Sequence, residues 1–359
     1  MQESRPLYLH EYKPKSELIV QEHILDRPKF PTIDAHGHFG GIYSDIYLNI
    51  YHKERINIHN AVEELKQHGI RRVVNLDGFW DGFMGLTVDQ ILKSLQDYED
   101  FFINFVSVNT NEVGQPDFEK KVERHLRAAK IKGVTGIKFF KHVSLMVEDG
   151  PYNYVPGRNI GLNDPRLKVI YETAAELEMP MLIHIADPVA FTRPLDGFNE
   201  RYEELMGQPD WSYAKPGLYT FEELMEMQES LLADNPNTTF IIAHGGSYSE
   251  NLGFVAKCLD TYPNMYIDIA ERIAEFGRQP YTSREFFHRY QDRILFGTDA
   301  YPGQMHRRYP PYFRFLETFD EYFDYSSYSA RWKIYGIGLE DEILEKIYYK
   351  NAEKVLNLR

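Results

Sequence analysis

Short apolar runs, rich in β-branched and aromatic residues, recur along the chain and are bounded by polar or turn-forming residues. Runs of about four to eight such residues are typical of strands that are buried on both faces, as in a parallel sheet. Eight stretches fit this description: residues 31–36, 71–76, 102–108, 134–140, 180–185, 239–244, 264–269 and 293–299.

Between these strands, apolar residues recur at spacings of three and four, which predicts amphipathic helices. Two of the helices begin with a capping signal: Asp164 stands before Pro165, and Thr220 stands three residues before Glu223. The predicted helices cover residues 60–69, 117–130, 164–179, 220–234, 250–262 and 339–358.

Eight strands alternating with helices predict an α/β fold, specifically a (β/α)8 TIM barrel. The competing architecture is an open doubly wound sheet, which usually carries a GxGxxG sequence after its first strand. Here the first strand ends in HGHFGG, which lacks that spacing. We therefore expect a single barrel over residues 31–359, with residues 1–30 as an N-terminal extension packed on it.

Four long connections follow predicted strands, at about residues 39–55, 141–163, 186–219 and 300–338. Connections that follow strands lie at the C-terminal face of a TIM barrel, where the active sites of this fold are built. Any catalytic residues are therefore expected at the carboxyl ends of the strands.

Two histidines stand on alternate positions at the end of the first strand. Side chains at i and i+2 of a strand share a face, so His36 and His38 are expected to point the same way. Neutral imidazole nitrogens are the commonest protein ligands for zinc and similar ions. Taken alone, the pair fits either half of a metal site or two polar residues that bond to nearby backbone.

Further polar residues end other strands, namely Lys138, His184, His244 and Asp299. Their apolar neighbours are predicted to face the outer helices: Ile137 and Phe139, Ile183 and Ile185, Ile241 and Ala243. Polar groups inside a barrel must be satisfied by one another or by an ion, so the set predicts a metal centre. Asp34 stands two residues before His36, so it is expected on the same face of the strand as His36 and His38. It either orients a ligand or bonds to backbone.

The composition narrows the possible partners. The formal net charge of −14 argues against nucleic acid or an anionic membrane surface as a partner. The single cysteine, Cys258, excludes an internal disulfide and a thiolate-rich zinc site. The first twenty residues have no apolar signal core, and no window is apolar enough to span a membrane. We expect a cytoplasmic protein that acts on a small molecule.

The HxH pair, the histidines that end strands five and six and the aspartate that ends strand eight together resemble the amidohydrolase superfamily. Several phrases are similar to its amidohydrolase-2 branch: IDAHGH, GVTGIKFF, IAHGG, ILFGTDAYP and IYYKNAEKVL. The resemblance runs from about residue 31 to residue 359. As a set these motifs are specific, whereas each alone would be weak.

The resemblance implies one divalent ion, with zinc expected first and manganese, iron or cobalt as alternatives. It implies His36, His38, His184 and Asp299 as ligands. His244 would polarise the substrate or move a proton, and Asp299 would also accept a proton from water.

Two further residues are candidates near the substrate. In two-metal relatives a lysine at the position of Lys138 is carboxylated and bridges a second ion. Here the preferred role is a cation near a substrate carboxylate, or simply a hydrogen-bonded lysine inside the barrel. Arg272 follows the seventh strand, and its guanidinium suits carboxylate recognition.

The resemblance leaves more than one activity open. The first hypothesis is hydrolysis of an amide, lactone or related bond by metal-activated water. The second is non-oxidative decarboxylation of an unsaturated or aromatic carboxylic acid at the same site. The third is a binding module without catalysis, which the complete ligand set argues against. A homo-oligomer is expected from the family.

Overall fold

The computed structural model describes residues 6–39, 57–77, 87–141, 160–325 and 331–358. Eight strands form one parallel sheet in which each strand pairs with the next in sequence. They are β1 Thr32–Gly37, β2 Ile70–Asn75, β3 Phe102–Val106, β4 Gly136–Phe139, β5 Met181–Ile183, β6 Phe240–Ile242, β7 Met265–Asp268 and β8 Ile294–Leu295.

The first and last strands meet along a seam of backbone hydrogen bonds. Three N–H groups donate across it, each at 2.8 Å: Ala35 to the Phe296 carbonyl, Asp299 to that of His36, and His38 to that of Ala300. The sheet therefore returns on itself as a nearly closed cylinder, and the predicted (β/α)8 barrel is confirmed.

Helices follow each of the strands. They are α1 Ile58–Gln67, α2 Val88–Ser94, α3 Phe118–Ile131, α4 Lys168–Glu176, α5 Tyr202–Gly207, α6 Phe221–Asp234, α7 Leu252–Thr261, α8 Ile273–Arg278, α9 Pro280–Arg289, α10 Met305–Glu317, α11 Asp341–Glu345 and α12 Asn351–Val355, the last two joined by a π-helical turn over Lys346–Lys350. All six predicted helical segments are confirmed, with the closing one divided by the π turn. The predicted capping box is present, because Thr220 accepts from the Glu223 backbone and Glu223 from the Thr220 backbone.

One of the long connections contains a helix that the apolar spacing did not predict. The connection at 300–338 contains the 13-residue helix α10, although Pro310 and Pro311 lie inside it. Proline normally ends a helix because it lacks the backbone N–H, so the pair hides the helical pattern. Burial of Tyr309, Tyr312 and Phe313 against the barrel holds the helix in place. Most of the connections at 39–55 and 141–163 lies outside the described residues.

The barrel has an outer and an inner apolar layer. Alternate strand residues such as Ile183, Ile242 and Phe296 pack in the large cluster beneath the helices. The inner cluster contains Ile33, Ala35, Val74, Ile103, Leu182, Ile241, Ala243 and Leu295, with Val355 and Leu356 from the chain end. The expectation that Ile241 and Ala243 face the outer helices was therefore wrong.

Residues from the N-terminal segment contact the end of α10 and the residues after it. The His23 backbone N–H and ring Nδ1 lie 2.7 and 2.5 Å from the Asp320 carboxylate, and the Lys29 N–H donates to Glu317. The division of the chain into an extension and one barrel domain stays a prediction. No helix within the described ranges is long and apolar enough to cross a membrane.

The inner layer generates a stability prediction. Gly136 faces Phe105 on the neighbouring strand, and an added Cβ would lie well inside van der Waals contact of that buried ring. We expect Gly136→Ala to lower the free energy of unfolding by ~1–3 kcal/mol, because the packed barrel cannot move the ring aside. Urea denaturation would measure the change. Gly197→Ala is the matched control, since nothing lies within 4 Å of its added Cβ. Equal midpoints for both variants would contradict the prediction.

Candidate metal centre and active site

The structure brings the predicted residues together at the carboxyl ends of the strands. The Asp299 Oδ1 atom lies 3.0 Å from His38 Nε2 and 3.6 Å from His36 Nε2. The His184 Nδ1 and His244 Nε2 atoms are 3.0 Å apart, and the His36 and His244 rings lie 4.9 Å apart between centroids. Four imidazoles and one carboxylate therefore converge on one place.

Within this group, ligand atoms of His36, His244 and Asp299 all lie within 4.8 Å of one another and could hold a metal ion. His38 joins them through Asp299, and His184 joins them through His244. The geometry thus includes His244, to which the family resemblance gives a different role. The division between ligand and proton-transfer residue stays a prediction.

His244 reaches the site through a left-handed backbone. Ala243 belongs to the inner cluster, so regular alternation would turn His244 towards the outer helices. The φ angle of His244 is +59°, and the chain turns its ring inward instead. Asp299 and Glu271 follow β8 and β7 with φ of +59° and +54°. Left-handed residues other than glycine cost ~1–2 kcal/mol each and cluster at functional sites.

A register shift in β1 decides where Asp34 points. The pairing with β2 shifts between Asp34 and Gly37, so His36 faces the site although Ala35 lies in the inner cluster. The Asp34 carboxylate instead accepts from the Thr298 hydroxyl at 2.5 Å and from Tyr309 at 2.7 Å. Asp34 therefore does not share a face with the histidines, because the bulge breaks the alternation. It bonds to the His36 backbone N–H rather than to a ring.

Three buried aspartates that the sequence analysis did not single out hold the histidine rings. A carboxylate oxygen lies near one nitrogen of each ring: Asp268 at 2.8 Å from His36 Nδ1, Asp77 at 2.6 Å from His38 Nδ1 and Asp187 at 3.3 Å from His184 Nε2. A carboxylate accepts from the ring nitrogen that faces it, so the Nε2 atom of neutral His36 is left bare towards the centre, whereas His38 has a second carboxylate, Asp299, at 3.0 Å from its Nε2. Asp268 was accessible to prediction, because it ends β7 as His184 ends β5.

The ring of His244 is also held by an acceptor on one of its nitrogens. Its Nδ1 atom lies 3.0 Å from the Ala270 carbonyl oxygen, which can only accept, so Nδ1 carries the proton. Burial, together with the charge of His184, lowers the pKa of His244 well below 6.5. Burial also lowers the pKa of His184 to about 4. The bare Nε2 of His244 therefore lies 3.0 Å from His184 Nδ1, where it can accept a proton from that ring or share a cation with it.

The pKa values of the remaining site residues, His36, His38 and Asp299, shift in different directions. Burial, followed by the charge of Lys138, lowers the pKa of His36 well below 6.5. Burial alone would lower the pKa of His38, but Asp77, with help from Asp299, raises it to about 9. Burial would raise the pKa of Asp299, yet His36 and His38 hold it well below 3.8. The carboxylate therefore remains an anion suited to a divalent ion.

Lys138 and Arg272 lie beside this group. The fully buried Lys138 Nζ is 3.5 Å from His36 Nε2, and burial lowers the pKa of Lys138 to about 8. Arg272 precedes α8 and is 6% exposed; its Nη1 donates to the Glu271 carbonyl. Its Nη2 atom is buried and has no hydrogen-bond partner within the described part of the chain. Both cations were predicted near the substrate, and carboxylation of Lys138 to bridge a second ion stays untested.

The donor set fits a divalent metal ion. Imidazole nitrogens and one carboxylate, without thiolate, suit zinc, manganese, iron or cobalt. Carboxylates on the far side of ligand histidines fix the ring orientation in metal sites. By their mutual distances His36, His244 and Asp299 could hold the ion, with His38 and His184 adjoining them.

A family model described as amidohydrolase matches residues 33–358, which is nearly the whole chain. The chain belongs to the amidohydrolase family. This confirms the resemblance seen in the sequence motifs. Members of this family and the similar solved structures include enzymes, whereas a sequence search of curated proteins finds no match.

Solved structures similar to this amidohydrolase-family protein share its barrel. The 2,6-dihydroxybenzoate decarboxylase from Rhizobium is 15% identical over 92% of this chain and 99% of that one, with a TM-score of 0.58. The 5-carboxyvanillate decarboxylase from Novosphingobium aromaticivorans, complexed with manganese, is 11% identical over 92% of this chain and 97% of that one, with a TM-score of 0.54. The 4-oxalomesaconate hydratase from Rhodopseudomonas palustris is 16% identical over 91% of this chain and 96% of that one, with a TM-score of 0.51. At these identities the likeness shows the fold.

The His38–Asp77 pair generates a prediction about metal affinity. With its pKa raised to about 9, His38 is protonated at neutral pH and must lose that proton before it can bind an ion. We expect the association constant for Mn²⁺ to rise about tenfold per pH unit between about pH 7 and pH 8. Calorimetry on the metal-free protein would measure it.

Asp77→Asn is the control for this prediction. Without the carboxylate, the pKa of His38 should return towards its ordinary value of about 6.5, and the pH dependence should flatten. An unchanged affinity of the unmodified protein across that pH range would contradict the assignment of His38 as a ligand.

Proposed function

We propose that the protein is a metal-dependent carboxy-lyase that removes CO2 from a small unsaturated or aromatic carboxylic acid without oxidation. The observation that carries the proposal is the buried Lys138 ammonium, 3.5 Å from His36 inside the histidine and aspartate cluster. Burying a cation is costly unless anions compensate it; Asp299, Asp268 and Asp77 do so in part, and a substrate carboxylate would add to them.

Arg272 supports the same substrate charge. Its buried Nη2 donor is unmatched in the described ranges, and a guanidinium binds carboxylates through charge-assisted hydrogen bonds. Decarboxylases of 2,6-dihydroxybenzoate and of 5-carboxyvanillate are among the similar structures. These names support the choice of chemistry by analogy, since one fold hosts many activities.

The reaction breaks the bond between the substrate carbon and its carboxylate, and CO2 leaves. The electron pair remains on that carbon, so an adjacent double bond or aromatic ring is needed to delocalise it. A proton must then reach the same carbon. His244 is the proposed carrier of that proton: its Nδ1 is fixed on the Ala270 carbonyl, so its bare Nε2 faces the centre of the site, takes up a proton from water and passes it to the carbon.

The ion would supply positive charge for binding and polarising the substrate. We propose manganese ahead of zinc, because the similar structures contain manganese where a metal is named. His36, His38, His184 and Asp299 are the proposed ligands, and the aspartates behind the rings keep them oriented. The homo-oligomer and the cytoplasmic location stay predictions.

Hydrolysis by activated water remains the second candidate. The observation that favours it is the position of Asp299, whose side chain is 28% exposed while its oxygen contacts two histidines. A carboxylate in contact with both the ligands and solvent can accept a proton from water. The two activities differ in their products, since only decarboxylation releases CO2.

The first test combines metal content with product analysis. Mass spectrometry of the purified protein is expected to find about one divalent ion per chain, and a His36→Ala/His38→Ala variant should lose it. With Mn²⁺ restored, a panel of hydroxylated and unsaturated acids would be assayed for CO2 beside matched amides and lactones. Product from the amides or lactones alone would replace the decarboxylase proposal with hydrolysis.

The role of His244 can be tested separately. We expect His244→Asn to lower kcat about 10²- to 10⁴-fold because proton delivery to carbon is lost, while the bound metal is retained. Steady-state kinetics and metal analysis of the same preparation would measure both quantities. Loss of the ion from this variant would instead identify His244 as a ligand.

A further inference from the structure

A second cleft lies at the opposite end of the barrel from the metal cluster. It has a volume of about 540 Å³ and lies between residues 27–31 of the N-terminal segment and the amino end of β2, where Gly69, Ile70 and Arg71 line it. The histidine cluster lies at the carboxyl ends of the strands instead. A volume of this size is typical of sites that hold small organic molecules. The cleft is therefore large enough for a ligand other than the substrate.

The lining of this cleft is basic, although the protein is acidic. Four of its side chains are cations, and among the described residues the lining contains no carboxylate. The cations are Arg27, Lys29, Lys66 and Arg71. The chain as a whole has a formal net charge of −14. Like charges around one cleft repel one another, and a bound anion would relieve that repulsion. The charge of the lining therefore favours an anionic ligand.

Arg27 is the cation with the most donors to offer. Its guanidinium forms no ion pair or hydrogen bond within the described part of the chain. Its Nε atom lies over Gly69, 3.7 Å from the position that a Cβ on this glycine would occupy. Gly69 has a φ angle of +76°, and the same Cβ would lie 2.8 Å from Pro28, so a glycine is needed for this close approach. The backbone thus places a guanidinium with unmatched donors against the amino end of β2.

The other three cations of the cleft pair with carboxylates that do not line it. The pairs are Lys29 with Asp341, Lys66 with Glu63 and Arg71 with Glu353. All six side chains are between 37% and 53% exposed. Exposed ion pairs contribute little to stability, because water already solvates both charges. These cations can therefore turn towards a ligand without leaving a buried charge unpaired.

The remaining walls of the cleft are apolar. Phe30 is half-buried, and Phe101 stands before β3 with 8% of its surface exposed. Aromatic side chains offer flat apolar surfaces to planar groups. A phosphate ester combines such a group with up to two negative charges, and arginine forks match its oxygens in a bidentate way. Basic and apolar walls together suit a ligand of this kind better than a bare inorganic ion.

We propose that this cleft binds a soluble organic phosphate, with its phosphate group on Arg27, Lys66 and Arg71 and its apolar part on Phe30 and Phe101. The site is separate from the candidate active site and does not depend on the proposed function. The ligand would join residues 27–31 to the amino end of β2. Its binding should therefore raise the thermal midpoint of the protein.

Calorimetry with phenyl phosphate, at fixed pH and ionic strength, tests this site in the metal-free and the manganese-loaded protein. We expect the same dissociation constant in both, because the cleft and the metal cluster lie at opposite ends of the barrel. Loss of charge-assisted hydrogen bonds predicts that Arg27→Gln weakens binding about 10- to 100-fold. Arg27→Lys should weaken it less, because the positive charge is retained. Inorganic phosphate and phenol should each bind more weakly than phenyl phosphate, since each reaches only one kind of wall.

Arg127→Gln is the matched control for overall charge. It removes an arginine from an exposed pair with Glu176 on the outer helices, and it should bind phenyl phosphate as the unmodified protein does. Thermal melting without ligand would show that both variants are folded. Equal weakening in Arg27→Gln and Arg127→Gln would overturn the proposal, because the attraction would then be general. Binding that requires manganese would overturn it too, since the ligand would then lie at the metal cluster. So would phenol binding as tightly as phenyl phosphate, or no binding of phenyl phosphate at millimolar concentration.

Discussion

The seam between the first and last strands is the constraint on which the candidate site depends. The backbone of His36 accepts from Asp299, and the backbone of His38 donates to Ala300. The side chains of the same residues carry the imidazoles and the carboxylate of the proposed metal centre. Closing the barrel and assembling the site are thus one structural event. The Asp34 carboxylate adds to it by bonding across the seam to Thr298.

The fold and most of the site were accessible to sequence reasoning because both follow from periodicity. Strand runs predicted the barrel, and polar residues at strand ends predicted where His36, His184 and Asp299 meet. Local departures from periodicity were not accessible. The bulge that turns Asp34 away and the left-handed residue that turns His244 inward depend on backbone geometry that alternation cannot show.

The supporting carboxylates were missed for a related reason. Asp268 ends β7 and was accessible in the same way as the strand-end histidines, whereas Asp77 and Asp187 act through ring orientation, which depends on strand register and side-chain conformation rather than on residue type. Aspartates at strand ends are also common without such a role. Their distances to the rings explain why several histidines can be buried together: Asp268 and Asp77 fix the His36 and His38 rings through Nδ1, and Asp187 lies beside the His184 ring.

The seam also has a consequence for how the chain is made. Asp34 and Thr298 are 264 residues apart in sequence, so the last part of the site leaves the ribosome long after the first. At ~5–20 residues per second, the first-strand histidines wait for at least about ten seconds before Asp299 exists. A nascent chain therefore holds half of an ion site without its carboxylate. Selective metal loading belongs to the finished molecule, after synthesis has ended.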